Sequence, residues 1–191
     1  CAAESAPLGG VGLHWEVMKV MPRAICFDFD GTLARFDGEF DLLLDGLRND
    51  LGLQACDFRM LRERLGNELS AGGPVTLRDA SRSVIESFEL RVPADLDEVV
   101  AQACGEYAAG VKLCPGALEL LQWLDGQRIP LALISNGPWD MQQAALRRVG
   151  IERYFGTVLF SGDRDVSARK PTRRIFDMAL TGLRSLPEET L

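Results

Sequence analysis

Apolar and polar positions follow two different rhythms along this chain. Ala24-Ile25-Cys26-Phe27-Asp28-Phe29 is a nearly continuous apolar run with the turn residues Asp30-Gly31-Thr32 behind it, the pattern of a buried strand ending in a loop. From Phe36 to about Val111 the spacing changes to threes and fours. Phe40, Leu43, Leu44, Leu47 and Leu51 form one stripe, and Phe58, Leu61, Leu65 and Leu69 a second. Leu77, Ala80, Val84 and Phe88 form a third, and Leu96, Val99, Val100, Ala103 and Tyr107 a fourth. Four such stripes in succession predict a small helical bundle. Thr76-Leu77-Arg78-Asp79 has the form of a capping box at the start of the third helix, and Pro93 breaks the chain before the fourth.

After Cys114-Pro115-Gly116 the rhythm alternates. A helix carrying Ala117, Leu120, Leu121 and Leu124 precedes the strand Pro130–Ser135. A second helix, with Met141, Ala144, Ala145 and Val149 inward, stops at Gly150 and leads to the strand Thr157–Ser161; a third runs from about Pro171 to Leu183. Alternation of this kind predicts a parallel sheet with crossover helices, so the helical block interrupts an α/β domain after its first strand. The expected division is an N-terminal extension over 1–20, an α/β core over 21–35 and 112–191, and a helical insert over 36–111. Trp123 and Trp139 are read as helix-packing residues.

Composition narrows the function. The chain has 191 residues, 47% of them hydrophobic and 26% charged, the balance of a soluble globular protein with room for a core. Its net charge of −7 argues against a general nucleic-acid binder, and no run is long and apolar enough for a membrane span. The single histidine, His14, lies ahead of any clear element, which disfavours histidine-based triads and zinc sites. Five cysteines without a C-x-x-C pair are read as reduced thiols of a cytoplasmic protein. The first residues lack the pattern of a secretory signal, and Met18 or Met21 is the expected start of folded sequence.

Three polar clusters follow predicted strands, where open α/β sheets collect ligands: Asp28-Phe29-Asp30-Gly31-Thr32, Ser135-Asn136-Gly137 and Lys170-Pro171. Alternate residues of an extended segment point the same way, so Asp28 and Asp30 can converge while Gly31 turns the chain. Paired carboxylates call for a divalent cation, and oxygen-only ligation favours Mg²⁺. An EF-hand is a poor alternative, because Gly31 displaces its third early ligand. A carboxylate nucleophile, a second carboxyl, a hydroxyl and an ammonium together suit phosphoryl transfer through an aspartyl-phosphate. Asn136 either touches phosphate or shapes the turn. Asp163 and Asp165 are read as a solvated loop.

This ordered set resembles the haloacid dehalogenase superfamily of phosphohydrolases, over about Arg23 to Leu191, with a helical cap placed as in phosphoglycolate-type phosphatases. The resemblance implies a Rossmann-like parallel core and a small phosphorylated metabolite as substrate. It implies that Asp28 attacks phosphorus and binds Mg²⁺, and that Asp30 handles the proton and binds Mg²⁺ through its carbonyl. Ser135, with Gly31, Thr32 and Asn136 around it, would meet the phosphoryl group, and Lys170 would offset its charge. The dehalogenases of the superfamily lack the second aspartate, so Asp30 points to a phosphatase.

The superfamily's fourth motif, an acidic Gly-Asp loop, should follow Lys170, whereas Gly162-Asp163 precedes it. The motif is therefore expected beyond Leu191, and Leu186–Leu191 reads as the opening of a further helical element. Without the strand that carries this motif, Ala24–Phe29 would be an exposed edge, and the chain alone would turn over poorly. The alternative is a non-catalytic phosphate-binding or interaction domain.

Overall fold

The computed structural model describes residues 21–191; the expected extension over 1–20, with His14 and Met18, lies outside them. Strand β1 (Ile25–Phe27) lies parallel to β4 (Leu131–Ser135), and β4 lies parallel to β5 (Thr157–Phe160), giving the order β1-β4-β5. Register pairs Ile25 with Leu131 and Ala132 with Thr157. Every residue of β4 is buried, as a central strand covered on both faces requires. Its side chains alternate accordingly. Leu131 and Leu133 enter the larger apolar cluster, while Ala132 and Ile134 enter a smaller one with Ile175, Ala179 and Leu183 of α7 (Arg173–Leu183).

The four expected insert helices are α1 (Phe40–Asp50), α2 (Phe58–Ser70), α3 (Leu77–Ser87) and α4 (Leu96–Gly110). Helices α5 (Ala117–Gly126) and α6 (Trp139–Val149) follow in the core, and Gly150 ends α6 in the left-handed conformation. The Thr76 hydroxyl accepts the Asp79 N–H, the capping interaction its sequence predicts. One apolar cluster runs without a break from Leu47, Leu61, Val84 and Val100 of the insert to Leu133 and Ala145 of the core.

Two elements escape the sequence pattern. β2 (Ala34–Phe36) and β3 (Val111–Leu113) form an antiparallel ribbon where the insert leaves and rejoins the core. At the other end, Pro187–Glu189 is a single 3₁₀ turn, after which Thr190 and Leu191 run parallel beside β1. Cys26 N–H donates to the Leu191 carbonyl (2.7 Å) and Leu191 N–H to the Ala24 carbonyl (3.1 Å), so this side of β1 is paired instead of the expected open edge. Trp123 and Trp139, expected to pack between helices, are only partly covered, at 51% and 40% exposed.

The insert is stitched to the core by main-chain bonds. Val75 N–H donates to the Gly162 carbonyl (2.9 Å), and Trp139 N–H donates to the Val75 carbonyl (3.0 Å). A side chain at Gly162 would collide with the carbonyls of Val75 and Gly137, which explains glycine at this crossing. The Asp140 carboxylate accepts the Leu77 (2.8 Å) and Arg78 (3.2 Å) N–H groups, supplying the free amides of the α3 N-terminus from across the interface. Replacing Asp140 with Ala is expected to lower stability by about 1–2 kcal/mol, read as a lower urea midpoint. An unchanged midpoint would show that water replaces the carboxylate without loss.

Candidate active site

The site is assembled where β1, β4 and β5 end. Phe29 is fully buried and anchors the loop, so its neighbours Asp28 and Asp30 turn the other way. The Phe29 carbonyl accepts the Leu33 and Ala34 N–H groups, both at 3.0 Å, and Gly31 closes the turn at φ +76° with its N–H on the Ala34 carbonyl. Gly31 and Thr32 are exposed, and their amides are engaged within this turn, the Thr32 N–H on the Phe29 carbonyl at 3.3 Å. The Thr32 side chain is left at the exposed surface of the turn.

Lys170 reaches this loop from beyond β5. Its Nζ donates to Asp28 Oδ1 (2.5 Å) and to the Ile134 carbonyl (2.9 Å), tying the ends of β1 and β4 together. The Asp28 side chain remains 46% exposed against 20% for Lys170, so the carboxylate faces the cleft with its ammonium partner behind it. Phe29 N–H adds a second bond to the same Oδ1 (2.7 Å).

Asp30 sits one step along. Ser135 Oγ, fully buried, donates to Asp30 Oδ2 at 3.1 Å, and Gln142 Nε2 from α6 donates to the same oxygen at 2.9 Å. Tyr107 of α4 makes a long contact to Oδ1 at 3.5 Å. Desolvation by these neighbours raises the Asp30 pKa above the usual aspartate value; the donors Gln142 and Ser135 oppose the shift, the Asp28 charge adds to it, and Lys170 opposes it. Burial, with the Asp30 charge and hydrogen bond behind it, likewise raises Tyr107 and keeps it a neutral phenol.

The remaining expected residues take other roles. Asn136 accepts the Lys170 N–H on Oδ1 (2.8 Å) and donates Nδ2 to the Lys170 carbonyl (3.1 Å), so its amide fastens the lysine in place. This is the turn-shaping arrangement of the two expected for Asn136. Ser135 is bonded to Asp30 rather than presented to open solvent, because a carboxylate is the strongest acceptor within its reach. Asp163 accepts the Asp165 N–H (2.9 Å) within its own loop, in keeping with a solvated turn. Gln142 and Tyr107 were not among the expected site residues.

For a Mg²⁺ ion, the donor chemistry fits. Asp28 Oδ2 and the Asp30 carbonyl oxygen accept no hydrogen bond among the described residues and belong to one short loop. Hard oxygen donors are what Mg²⁺ takes, with water and phosphate oxygens filling most of its shell. No group of three or more His, Cys, Asp or Glu side chains able to hold a metal occurs among the described residues.

A three-strand parallel sheet that collects two aspartates, a serine and a lysine at its carboxyl ends defines an open α/β protein with its polar groups gathered where such sheets take ligands. More narrowly, this chain belongs to the haloacid dehalogenase-like hydrolases, whose family model matches residues 22–191. It is 28% identical over 171 residues to the phosphoglycolate phosphatase of Pseudomonas fluorescens (strain Pf0-1), covering 85% of this chain and 59% of that one. It is 30% identical over 162 residues to the pyrimidine 5′-nucleotidase YjjG of Escherichia coli K12, covering 82% and 69%. The fold matches that of a haloacid dehalogenase-type phosphatase from Thermococcus onnurineus with a TM-score of 0.61 at 24% identity, over 87% of this chain and 74% of that one. The chain spans 54 to 61% of the length of the first three phosphoglycolate phosphatases it matches.

Proposed function

We propose that this protein is a Mg²⁺-dependent phosphatase of small phosphorylated metabolites that works through an aspartyl-phosphate on Asp28. The observation that carries this reading is the Asp28–Lys170 pair at 2.5 Å with Asp30 beside it, two residues along the same loop. The free oxygen of Asp28 attacks phosphorus, and the bond from phosphorus to the ester oxygen breaks. Asp30, whose pKa partial desolvation raises above the ordinary aspartate value, gives its proton to the departing alcohol oxygen. Asp30 then takes a proton from the water that attacks the aspartyl-phosphate, releasing inorganic phosphate and restoring the Asp28 carboxylate. Lys170 holds Asp28 in line and offsets charge on the phosphoryl group. Mg²⁺ held by the Asp28 carboxylate and the Asp30 carbonyl would neutralise charge on the phosphoryl oxygens.

The phosphatase and nucleotidase names of the relatives support a small phosphate monoester as substrate. Residues 36–111 act as a cap over the core formed by 21–35 and 112–191. A cytoplasmic location is in keeping with the free thiols Cys26, Cys56, Cys104 and Cys114. Among the described residues no helix is long and apolar enough to cross a membrane.

The test is phosphate release from a panel of small monoesters. Release is expected to rise with added Mg²⁺ and to fall to background with EDTA. Saturable binding of phosphate without turnover of any ester would replace this reading with that of a non-catalytic phosphate-binding domain.

A further inference from the structure

Gln142 lies on α6, outside the polar loops that carry the rest of the site, yet its amide touches Asp30. The side chain is 5% exposed and reaches Asp30 through a gap made by glycine. A Cβ on Gly137 would stand 2.7 Å from Gln142 Nε2 and 3.0 Å from its Cγ, so the absence of a side chain at residue 137 leaves the path open. The amide is also held one way round. Its Nε2 donates to Asp30 while its Oε1 is buried without a partner among the described residues. A glutamine kept only for packing would gain by bonding both ends or by giving way to leucine or methionine. The orphaned oxygen marks the N–H···Asp30 contact as the interaction the site retains.

From these contacts we infer that Gln142 is a positioning residue for Asp30. Gln142 and Ser135 both donate to Oδ2, and together they fix the rotation of the carboxyl group. Oδ1, met only by the long Tyr107 contact, is the oxygen left to exchange a proton with the ester oxygen and with water. Gln142 touches no reacting atom and acts through Asp30. This role rests on the phosphatase reading above and adds to it a residue that sets which esters are cleaved efficiently. An alkyl alkoxide needs its proton as the bond breaks, whereas a nitrophenolate departs without one, so an ill-oriented Asp30 penalises only the first.

The experiment compares kcat and KM of the wild type, Gln142→Met and Gln142→Glu on p-nitrophenyl phosphate and on 2-phosphoglycolate, with thermal unfolding of each protein alongside. Met keeps the length without a donor; Glu keeps the shape and reverses the polarity. The expected result is a fall in kcat of about 30-fold on the alkyl ester and less than about threefold on the aryl ester, with KM unchanged on both. Equal losses on the two esters in a folded variant, or no loss on the alkyl ester, would overturn the positioning role and leave the phosphatase reading standing. A wild-type protein that cleaves neither ester with Mg²⁺ present would overturn the phosphatase reading, and this role with it.

Discussion

Asp28→Asn is expected to reduce phosphate release by about 10⁴-fold or more, with little change in fold. The substitution is isosteric, and the amide oxygen can still accept the Phe29 N–H, so the loop turn around buried Phe29 is retained. What is lost is the nucleophile, because an amide oxygen does not form the phosphoenzyme at a useful rate. The ion pair to Lys170 is lost as well, leaving its ammonium with the Ile134 carbonyl as its remaining partner. Stability is therefore expected to change far less than turnover, because Lys170 keeps part of its solvent shell. Steady-state phosphate release paired with a thermal unfolding curve separates the two effects. Turnover within about tenfold of wild type would remove Asp28 from the nucleophile role.

Asp30→Asn carries the second-largest expected effect, a loss of about 10²- to 10⁴-fold on alkyl phosphates and much less on aryl phosphates. An asparagine has no proton to give and takes none from water. Its stability effect runs the other way, and the sign follows from the direction of the Asp30 shift. Partial desolvation raises the folded pKa above the unfolded one, and because Asp30 keeps an exposed side the stability effect is small. The stabilising effect of the proton is fully present below the ordinary aspartate value of about 4 and is lost as pH rises through the folded value. Asp30→Asn is accordingly expected to unfold at the wild-type temperature or slightly above it near neutral pH, with any gap closing in acid. Wild-type turnover of an alkyl ester should fall as pH rises through the same folded value, while the aryl ester is less affected. An inactive variant that is also less stable at neutral pH would point to a structural role for the carboxylate.

Much of this arrangement was legible before folding was considered, and the failures have physical causes. The seven long helices announced themselves because each carries an apolar stripe over several turns. β2 and β3 stayed hidden because each has three residues and they meet only across the whole insert, so no turn signal links them. Asp28 and Asp30 could be picked out because they follow a recognisable strand, Ser135 because it ends one, and Lys170 because it precedes Pro171 in the loop beyond the third. Asn136 was ambiguous because a short amide satisfies a turn and a ligand equally well, and only the folded path of Lys170 decides between them. Gln142 did carry a signal. It stands three and four residues before Ala145 and Leu146, on the buried face of α6, where a polar side chain is out of place.

The turn that begins at Asp30 ends at the start of β2. Gly31 N–H is bonded to the carbonyl of Ala34, the first residue of β2, and that strand pairs with β3 to carry the insert. The loop that carries Asp28 and Asp30 and the ribbon at the base of the insert are thus one continuous hydrogen-bonded piece of backbone. A substitution that disturbs the pairing of β2 with β3 is therefore expected to reach the Asp28–Asp30 loop through its backbone, without touching either carboxylate.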